Sequence, residues 1–418
     1  MRILALLCGL LLAAPARGAD DLDALVQAAL AANPDLAARR ARVDELGALA
    51  DVSRAWPDPM FGVEASNLPV DSFRLDRHPM SGVQLELQQT IPAPGSRKRS
   101  SEVAEAKVAA SEQMLAESEL QLRAAVETTW WQLVLNRQLQ GVVTRHIADT
   151  DELIAAVRAR YEVGGTGQSN LLRFQLLRDQ LQESLSDLEQ DERVTVAALR
   201  KAIAHPEHTF ATPAQTDPLG VTGDADRWLA AARTSRPLLR QIDAEVTEAE
   251  ARAALARASA APDVTLWAGY RIRVPQVSGD PGVDFFSLGA SVPIPVSSAH
   301  VAAGQRDAAL QAAKQAEARK ASALDQIRSD LRSIDARWAR ADDKATSYDQ
   351  TLVPEAQQTL DTTLSDYRVG KADFASLYEA EVALLQLDRA TRVAKVETHI
   401  QQSRARAAIG TEPPRGIR

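Results

Sequence analysis

The side chains able to do chemistry are few and dispersed. Of the six histidines, at 78, 146, 205, 208, 300 and 399, only His205 and His208 are close in sequence, with Glu207 between them in a proline-bounded loop. A metal centre needs three or four His, Cys or carboxylate ligands that converge. Without a cysteine or a carboxylate cluster beyond Glu207, the pair reads as surface chemistry, and no metal site is expected. The chain has one cysteine, Cys8. It has no Gly-Lys-Ser/Thr phosphate loop and no Gly-x-Ser-x-Gly nucleophile turn. No catalytic constellation and no cofactor follow from these residues, and an enzyme is not expected.

Charge narrows the partners. With 56 acidic against 48 basic residues the formal net charge is −8, which argues against nucleic acid. The N-terminus fixes the compartment. Arg2 is followed by an apolar run from Ile3 to Ala14, and Ala16-Arg17-Gly18 offers small residues for cleavage before Ala19. Such a run is too short to span a bilayer permanently and reads as a secretory signal over residues 1–18. The alternative is a buried N-terminal helix. Cys8 lies inside the run and is preceded by Leu7 where a lipoprotein site needs a small residue, so the mature chain is expected to carry no thiol, disulfide or acyl anchor. Loss of Arg2 and Arg17 with the leader makes the remainder more acidic.

The chain repeats itself. Tyr161-Glu162-Val163-Gly164-Gly165, followed by Leu171-Leu172, returns as Tyr367-Arg368-Val369-Gly370-Lys371, followed by Leu377-Tyr378. Upstream, Asn33-Pro34 pairs with Arg236-Pro237, Pro57-Asp58 with Pro262-Asp263, and Thr90-Ile91-Pro92 with Pro293-Ile294-Pro295. Each copy therefore predicts a leading helix, a Pro-Asp stop, two short strands, a proline-marked exit and two long helices joined at a Val-Gly turn. The first repeat is placed at 19–204, with strands at about 61–68 and 82–90 and a helical hairpin at about 97–203. An inter-repeat connection follows at 205–223. The second repeat is placed at 224–410, with strands at about 264–274 and 284–293 and a hairpin at about 299–409, and 411–418 is left as a tail.

Aromatics make up only 4% of the residues, and the segments between prolines are rich in helix formers. From about Ser100 to Tyr161, roughly 60 residues at 1.5 Å rise predict a rod of about 90 Å. Its partner carries Phe174, Leu177, Leu181, Leu185 and Leu188 at coiled-coil spacing. The second half, Val301 to Tyr367 and Phe374 to Ile409, has Ala and Thr where the first has Leu, which predicts closer and weaker packing. Trp130, Trp131 and Trp338 read as packing residues at helix junctions.

The strands alternate strictly. Val264, Leu266, Ala268, Tyr270 and Ile272 are set against Thr265, Trp267, Gly269 and Arg271, and Phe286, Leu288 and Ala290 against Ser287, Gly289 and Ser291. In the first half Phe61, Val63 and Ala65, then Val83, Leu85 and Leu87, do the same. A period of two gives one greasy and one polar face, and each strand is near the length that crosses a membrane when tilted. Four strands cannot close a barrel or hide their own edges, so several chains must pool them. A soluble four-stranded sheet packed on one helix is the alternative.

Signal peptide, duplicated units, the exit Ile91 to Arg99 and the paired Tyr-x-Val-Gly turns together resemble the TolC family of outer-membrane efflux channels. The resemblance implies a mainly α fold with a small β part: a homotrimer whose twelve pooled strands form an outer-membrane β-barrel, continued by a long periplasmic α-helical coiled-coil tunnel. It implies outer-membrane lipid around the barrel, a periplasmic adaptor (membrane fusion protein) at the tunnel tip and an inner-membrane pump of the RND type. Val163, Gly164, Gly165 and Thr166, with Val369, Gly370 and Lys371, match the tips that meet the adaptor. Glu379 matches a position whose inward acidic side chain narrows the tunnel, with Asp373 nearby as a further gate candidate, and Tyr367 matches a gate tyrosine of some members; Ser376 departs from an aspartate common there, which puts a ring of carboxylates in doubt. Such a ring would favour cations. The connection at 205–223 matches a belt around the tunnel's middle. The exit Pro94-Gly95-Ser96-Arg97-Lys98-Arg99 looks closer to the channels of heavy-metal efflux systems, although Ser96-Arg97 interrupts the usual Gly-Lys-Arg. Outlets for drugs or other organic compounds, a periplasmic coiled-coil adaptor and a purely structural coiled-coil protein are the alternatives; one hairpin flanked by β domains would be expected of an adaptor, and two hairpins are present.

Overall fold

The structure, a computed structural model, describes residues 20–413 except positions 222 and 295. The expected leader with Cys8, and the end of the C-terminal tail, lie outside the described residues. In chain order the first copy comprises α1 (Leu22–Ala32), α2 (Pro34–Val52), β1 (Met60–Ser66), β2 (Gly82–Ile91), α3 (Ser96–Glu162) and α4 (Gln168–Ala202). The second comprises α5 (Ala225–Ser235), α6 (Pro237–Ala258), β3 (Val264–Ile272), β4 (Phe285–Ser291), α7 (Ser298–Ser347), a π-helical turn (Tyr348–Leu352), α8 (Val353–Arg368) and α9 (Phe374–Ile409).

Two of these elements correct the sequence reading. The leading helix of each copy is a pair of helices broken at Asn33-Pro34 and Arg236-Pro237. A residue before proline is driven to extended backbone. Asn33 (ψ 119°) and Arg236 (ψ 118°) obey, while Pro34 and Pro237 open the next helix, where the missing N–H is harmless. Aspartates start both short helices: Asp21 accepts from the Asp23 N–H and Asp224 from the Arg227 N–H.

The second correction is Pro354. Its ring cannot fit under a regular helical turn, and the chain widens just before it, where the Val353 N–H reaches the Tyr348 carbonyl five residues back. The first helix of the second hairpin is thus divided, unlike α3, which runs unbroken for 67 residues.

The segments cluster into two compact units that interleave the two copies. One combines residues 37–116 and 237–324; the other takes the segments up to 36, 117–236 and from 325 onward. The first holds the sheet, ordered β1-β2-β3-β4 and antiparallel throughout. The register joins the two copies at β2 and β3, where Leu85 faces Tyr270 and Leu87 faces Ala268. It also places Phe61, Val63, Leu85, Leu87, Leu266, Tyr270, Phe286 and Leu288 on one face. That face is bare: Phe61 is 66% and Leu288 72% exposed. The opposite face carries Glu64, Gln84, Glu86, Gln88 and Arg271, and Gln84 donates to Glu86 (3.0 Å) while Arg271 donates to Gln84 (2.8 Å). The loops beyond the strands are tied together, since the Val277 N–H donates to the Asp76 carbonyl (3.0 Å) and the Gln276 amide to the Leu75 carbonyl (3.1 Å).

The other unit has two apolar clusters. Leu25, Val26 and Ala29 of α1 pack with Trp130 and Leu133 of α3, Leu199 of α4, Phe210 and Val396. Trp338 stacks on Trp228 of α5 and donates to the Leu219 carbonyl (2.7 Å). The second cluster joins Val157, Phe174, Leu177 and Leu181 to Tyr367, Phe374, Leu377 and Leu384. The paired helices of the two hairpins differ in burial. α4 buries Phe174, Leu177, Leu181 and Leu199, whereas α9 is buried along nearly its whole length. Small residues such as Ala380, Ala394, Ala405 and Ala408 let neighbouring backbones approach, so close packing encloses the helix rather than loosening it.

On the sheet's polar face Gly289 lies under the Trp267 indole, where an added Cβ would overlap the ring. Gly289→Val should therefore displace Trp267 and lower stability by about 1–3 kcal/mol, read as a lower thermal midpoint together with a loss of the near-ultraviolet tryptophan dichroism. An unchanged tryptophan signal would contradict this packing.

Candidate functional site: the paired helix-turn tips

The two helical hairpins reverse by the same device. A helix leaves its last carbonyls unsatisfied, and a residue in the left-handed region lets the following N–H groups fold back onto them. At the first tip Gly164 has φ +74°; its N–H donates to the Tyr161 carbonyl (3.0 Å) and that of Gly165 to the Arg160 carbonyl (2.7 Å). At the second, Gly370 has φ +82°; its N–H donates to the Tyr367 carbonyl (3.1 Å) and that of Lys371 to the Asp366 carbonyl (2.8 Å). Both are Schellman closures, and a side chain at either glycine would be strained whatever the space around it.

The structure brings the two tips together through a residue that the sequence reading missed. Arg160, in the last turn of α3, donates to the Tyr367 carbonyl (2.9 Å) and to the Gly165 carbonyl (3.3 Å), and its guanidinium lies 4.7 Å from the centre of the Tyr367 ring. One side chain thus satisfies a terminal carbonyl of each hairpin and covers an aromatic face. Below it Phe174 meets Phe374 edge-on at 5.3 Å and Tyr378 at 5.4 Å. At the surface Val163 is 81% and Val369 68% exposed, so each turn offers an apolar side chain flanked by open backbone. Thr166 accepts from the Asn170 amide (2.9 Å), and Lys371 is exposed.

The remaining candidates are placed as follows. Tyr367 is buried in the apolar cluster, and its hydroxyl has no hydrogen-bond partner among the described residues. Asp373 is the N-cap of α9, accepting from the Ser376 N–H (2.8 Å). That backbone hydrogen bond holds its carboxyl below the usual range, so it stays ionised. Ser376, the departure from the aspartate pattern, therefore serves the cap through its backbone. Glu379 is exposed on α9. His208 approaches Asp20 (3.4 Å) and packs on Phe210, and no group of three metal-binding side chains occurs among the described residues.

A second missed constellation lies deeper. His146 of α3 is 1% exposed and sits between Glu381 and Asp388 of α9, at 2.8 Å from Glu381 Oε1 through Nδ1 and 3.2 Å from Asp388 Oδ2 through Nε2. Heptad spacing of Glu381, Asp388 and Lys395 along α9 was the available signal.

Removing the Arg160 fork should loosen both turns. Arg160→Ala is expected to cost about 1–3 kcal/mol and to speed amide exchange about tenfold or more at both tips. Arg160→Lys should recover only part, because an ammonium cannot reproduce the fork. Loosening of the first tip alone would contradict the bridge.

Comparison with known proteins fits this geometry. The family model described as outer membrane efflux protein matches residues 25–205 and again residues 228–411. The pyoverdine export outer membrane protein OpmQ of Pseudomonas aeruginosa is 24% identical over 423 residues, which covers 92% of this chain and 84% of that protein. The outer membrane protein VceC of Vibrio cholerae has the same fold, with a TM-score of 0.76 at 17% identity over 94% of this chain and 96% of that one. So does the open-state MtrE outer membrane channel of Neisseria gonorrhoeae, at 0.71 and 17% over 94% and 90%. Matched in both of its halves, the chain belongs to the outer membrane efflux protein family and resides in the outer membrane with a large periplasmic portion.

Proposed function

We propose that three copies of this chain pool their sheets into a twelve-stranded barrel and form the outlet duct of a tripartite efflux system. The observation that carries this reading is the sheet itself. It has a bare apolar face, a polar face and two unpaired edges, at β1 and β4, and only a closed assembly in lipid satisfies all three. Among the described residues no helix is long and apolar enough to cross a membrane. Membership of the efflux family sets aside the periplasmic adaptor and the purely structural coiled coil.

In this reading the duct does no chemistry of its own. An RND-type inner-membrane pump drives transport, and a periplasmic adaptor docks on the tips at Val163, Gly164, Gly165 and Thr166 and at Val369, Gly370 and Lys371. The exposed valines supply apolar contact, and the glycines let a partner's backbone come close. Tyr367, Asp373 and Glu379 form the gate region, with Tyr367 acting from inside the helical packing through Arg160. The cargo is a heavy-metal cation. The exit Pro94 to Arg99 supports this, as do the ionised Asp373 and the exposed Glu379, since carboxylates near a constriction favour cations. A second reading, an organic compound as cargo, is supported by the printed name of the relative OpmQ, which concerns pyoverdine export.

Deletion of the gene, with complementation, distinguishes the two. Hypersensitivity confined to copper, silver, zinc, cobalt or cadmium salts is expected; sensitivity to antibiotics and detergents instead would assign the duct to organic cargo. In complemented cells Gly164→Trp or Gly370→Trp should abolish resistance while leaving trimers in the membrane. Loss of the trimers would show that these glycines serve folding alone.

A further inference from the structure

Glu381, Asp388 and Lys395 recur on α9 at heptad spacing, and all three are buried. A row of charges at core positions is costly unless each is paired. Lys395 meets Asp349 of the π-helical turn at 2.8 Å, within the second hairpin. The two carboxylates reach across to the first hairpin, where both meet one imidazole. An ionised carboxylate can only accept a hydrogen bond. With a carboxylate oxygen at each ring nitrogen, the geometry is satisfied when both nitrogens carry hydrogen, which makes His146 an imidazolium. A neutral ring would set one bare nitrogen lone pair against a carboxylate, in the core.

Other charged groups surround the three. Arg145 donates to Asp388 from the solvent side (3.3 Å), and Arg392 of α9 adds a second positive charge near that carboxylate. On α3, Asp149 faces Glu381 with Glu152 beyond it, and burial together with the Glu381 charge raises the Asp149 carboxyl above its usual range. Toward the tips lies the apolar cluster of Val157, Phe174, Phe374, Leu377 and Leu384.

We propose that His146, Glu381 and Asp388 form an ionic staple that holds the second hairpin in register on the first and sets the resting position of the two tips. The proposal rests on the duct reading, because a tunnel closed by these hairpins opens only if one moves against the other, and any such movement separates the staple. His146 is a positioning residue: it acts on the tips through the helices it joins.

The staple makes closure depend on pH. Burial opposes a charge on His146, but the hydrogen bonds to Asp388 and Glu381 prevail and push its pKa from 6.5 up to about 9. A group whose pKa is raised in the closed state stabilises that state fully below its free value and loses the contribution as pH rises to the bound one. Closure should therefore weaken about tenfold per pH unit between about pH 6.5 and 9 and level off above. At the acid side burial opposes the Asp388 charge, but the hydrogen bond to His146 outweighs it and holds the carboxyl below its usual range, so its contribution is lost as pH falls below that range.

The test uses the full-length protein, purified as assembled in detergent. Amide exchange over residues 374–391, corrected for the intrinsic effect of pH, should lose protection about tenfold per unit across that window. The uncharged variant His146→Gln/Glu381→Gln/Asp388→Asn should show no such slope. If it fails to assemble, Asp388→Asn alone, which keeps an acceptor at Nε2 but removes one charge, should pull the upper edge of the window well below pH 9. In planar bilayers the wild-type conductance should rise over the same window. No slope in the wild type, or the same slope in the uncharged variant, would overturn the staple. A slope in exchange with no conductance at any pH would leave the staple standing and remove the duct reading.

Discussion

The constraint on which the rest depends is the bare apolar face of the four-stranded sheet. Burying an apolar side chain is worth about 1.5–3 kcal/mol, and this face leaves Phe61, Val63, Leu87, Phe286 and Leu288 without cover. A sheet in water would turn that face inward. Here the exposed side is the greasy one, and the polar side carries Glu64, Glu86 and Arg271, with Glu64 and Arg271 both opposite Gln84. The arrangement is inside out for an aqueous domain and right for a barrel in lipid. Outer-membrane residence accords with that single inversion, and the proposed pooling of strands around a polar lumen is built on it.

Duplication solves a second problem, the placing of two helix turns side by side. Each copy delivers the same Schellman closure at the end of the same long hairpin, so two glycines reach equivalent positions without being adjacent in the chain. The copies have since diverged in what holds them. The first hairpin is sealed by Phe174, Leu177 and Leu181. The second relies on small residues and on charges that find opposite charges, Glu381 and Asp388 at His146, Lys395 at Asp349. Apolar contact is indifferent to small slips, whereas an ion pair in a core tolerates only one register. Arg160 adds the same kind of specificity at the tips.

Much of this was legible in the residues. Alternation with period two gave every strand and both of its faces, because a pleated strand has no freedom to do otherwise. The Tyr-x-Val-Gly pairs marked both turns, because few residues other than glycine adopt that backbone. Proline was harder to read. Pro34 and Pro237 were visible as markers, but whether proline ends a stretch or opens a new helix depends on the residue before it. Pro354 lay within a run otherwise suited to helix, and the widened turn that accommodates it has no sequence signature of its own. Charges misled most. Glu381, Asp388 and His146 resemble the solvated charges around them, and only the pairing of residues from opposite copies makes their burial tolerable. Arg160 was hidden for a similar reason, since its partners are two backbone carbonyls, one in its own turn and one in the other hairpin.

The central claim is that the greasy face of the sheet lies in lipid and the polar face in water. Spin labels placed one at a time at 286, 287, 288, 290 and 291 in the assembled protein, reconstituted into vesicles, report this through their collisions with oxygen and with a water-soluble nickel complex. Lipid-facing labels at 286, 288 and 290, alternating with water-facing labels at 287 and 291, are the predicted result. Uniform accessibility to nickel along the whole strand would place the sheet in water and contradict the account.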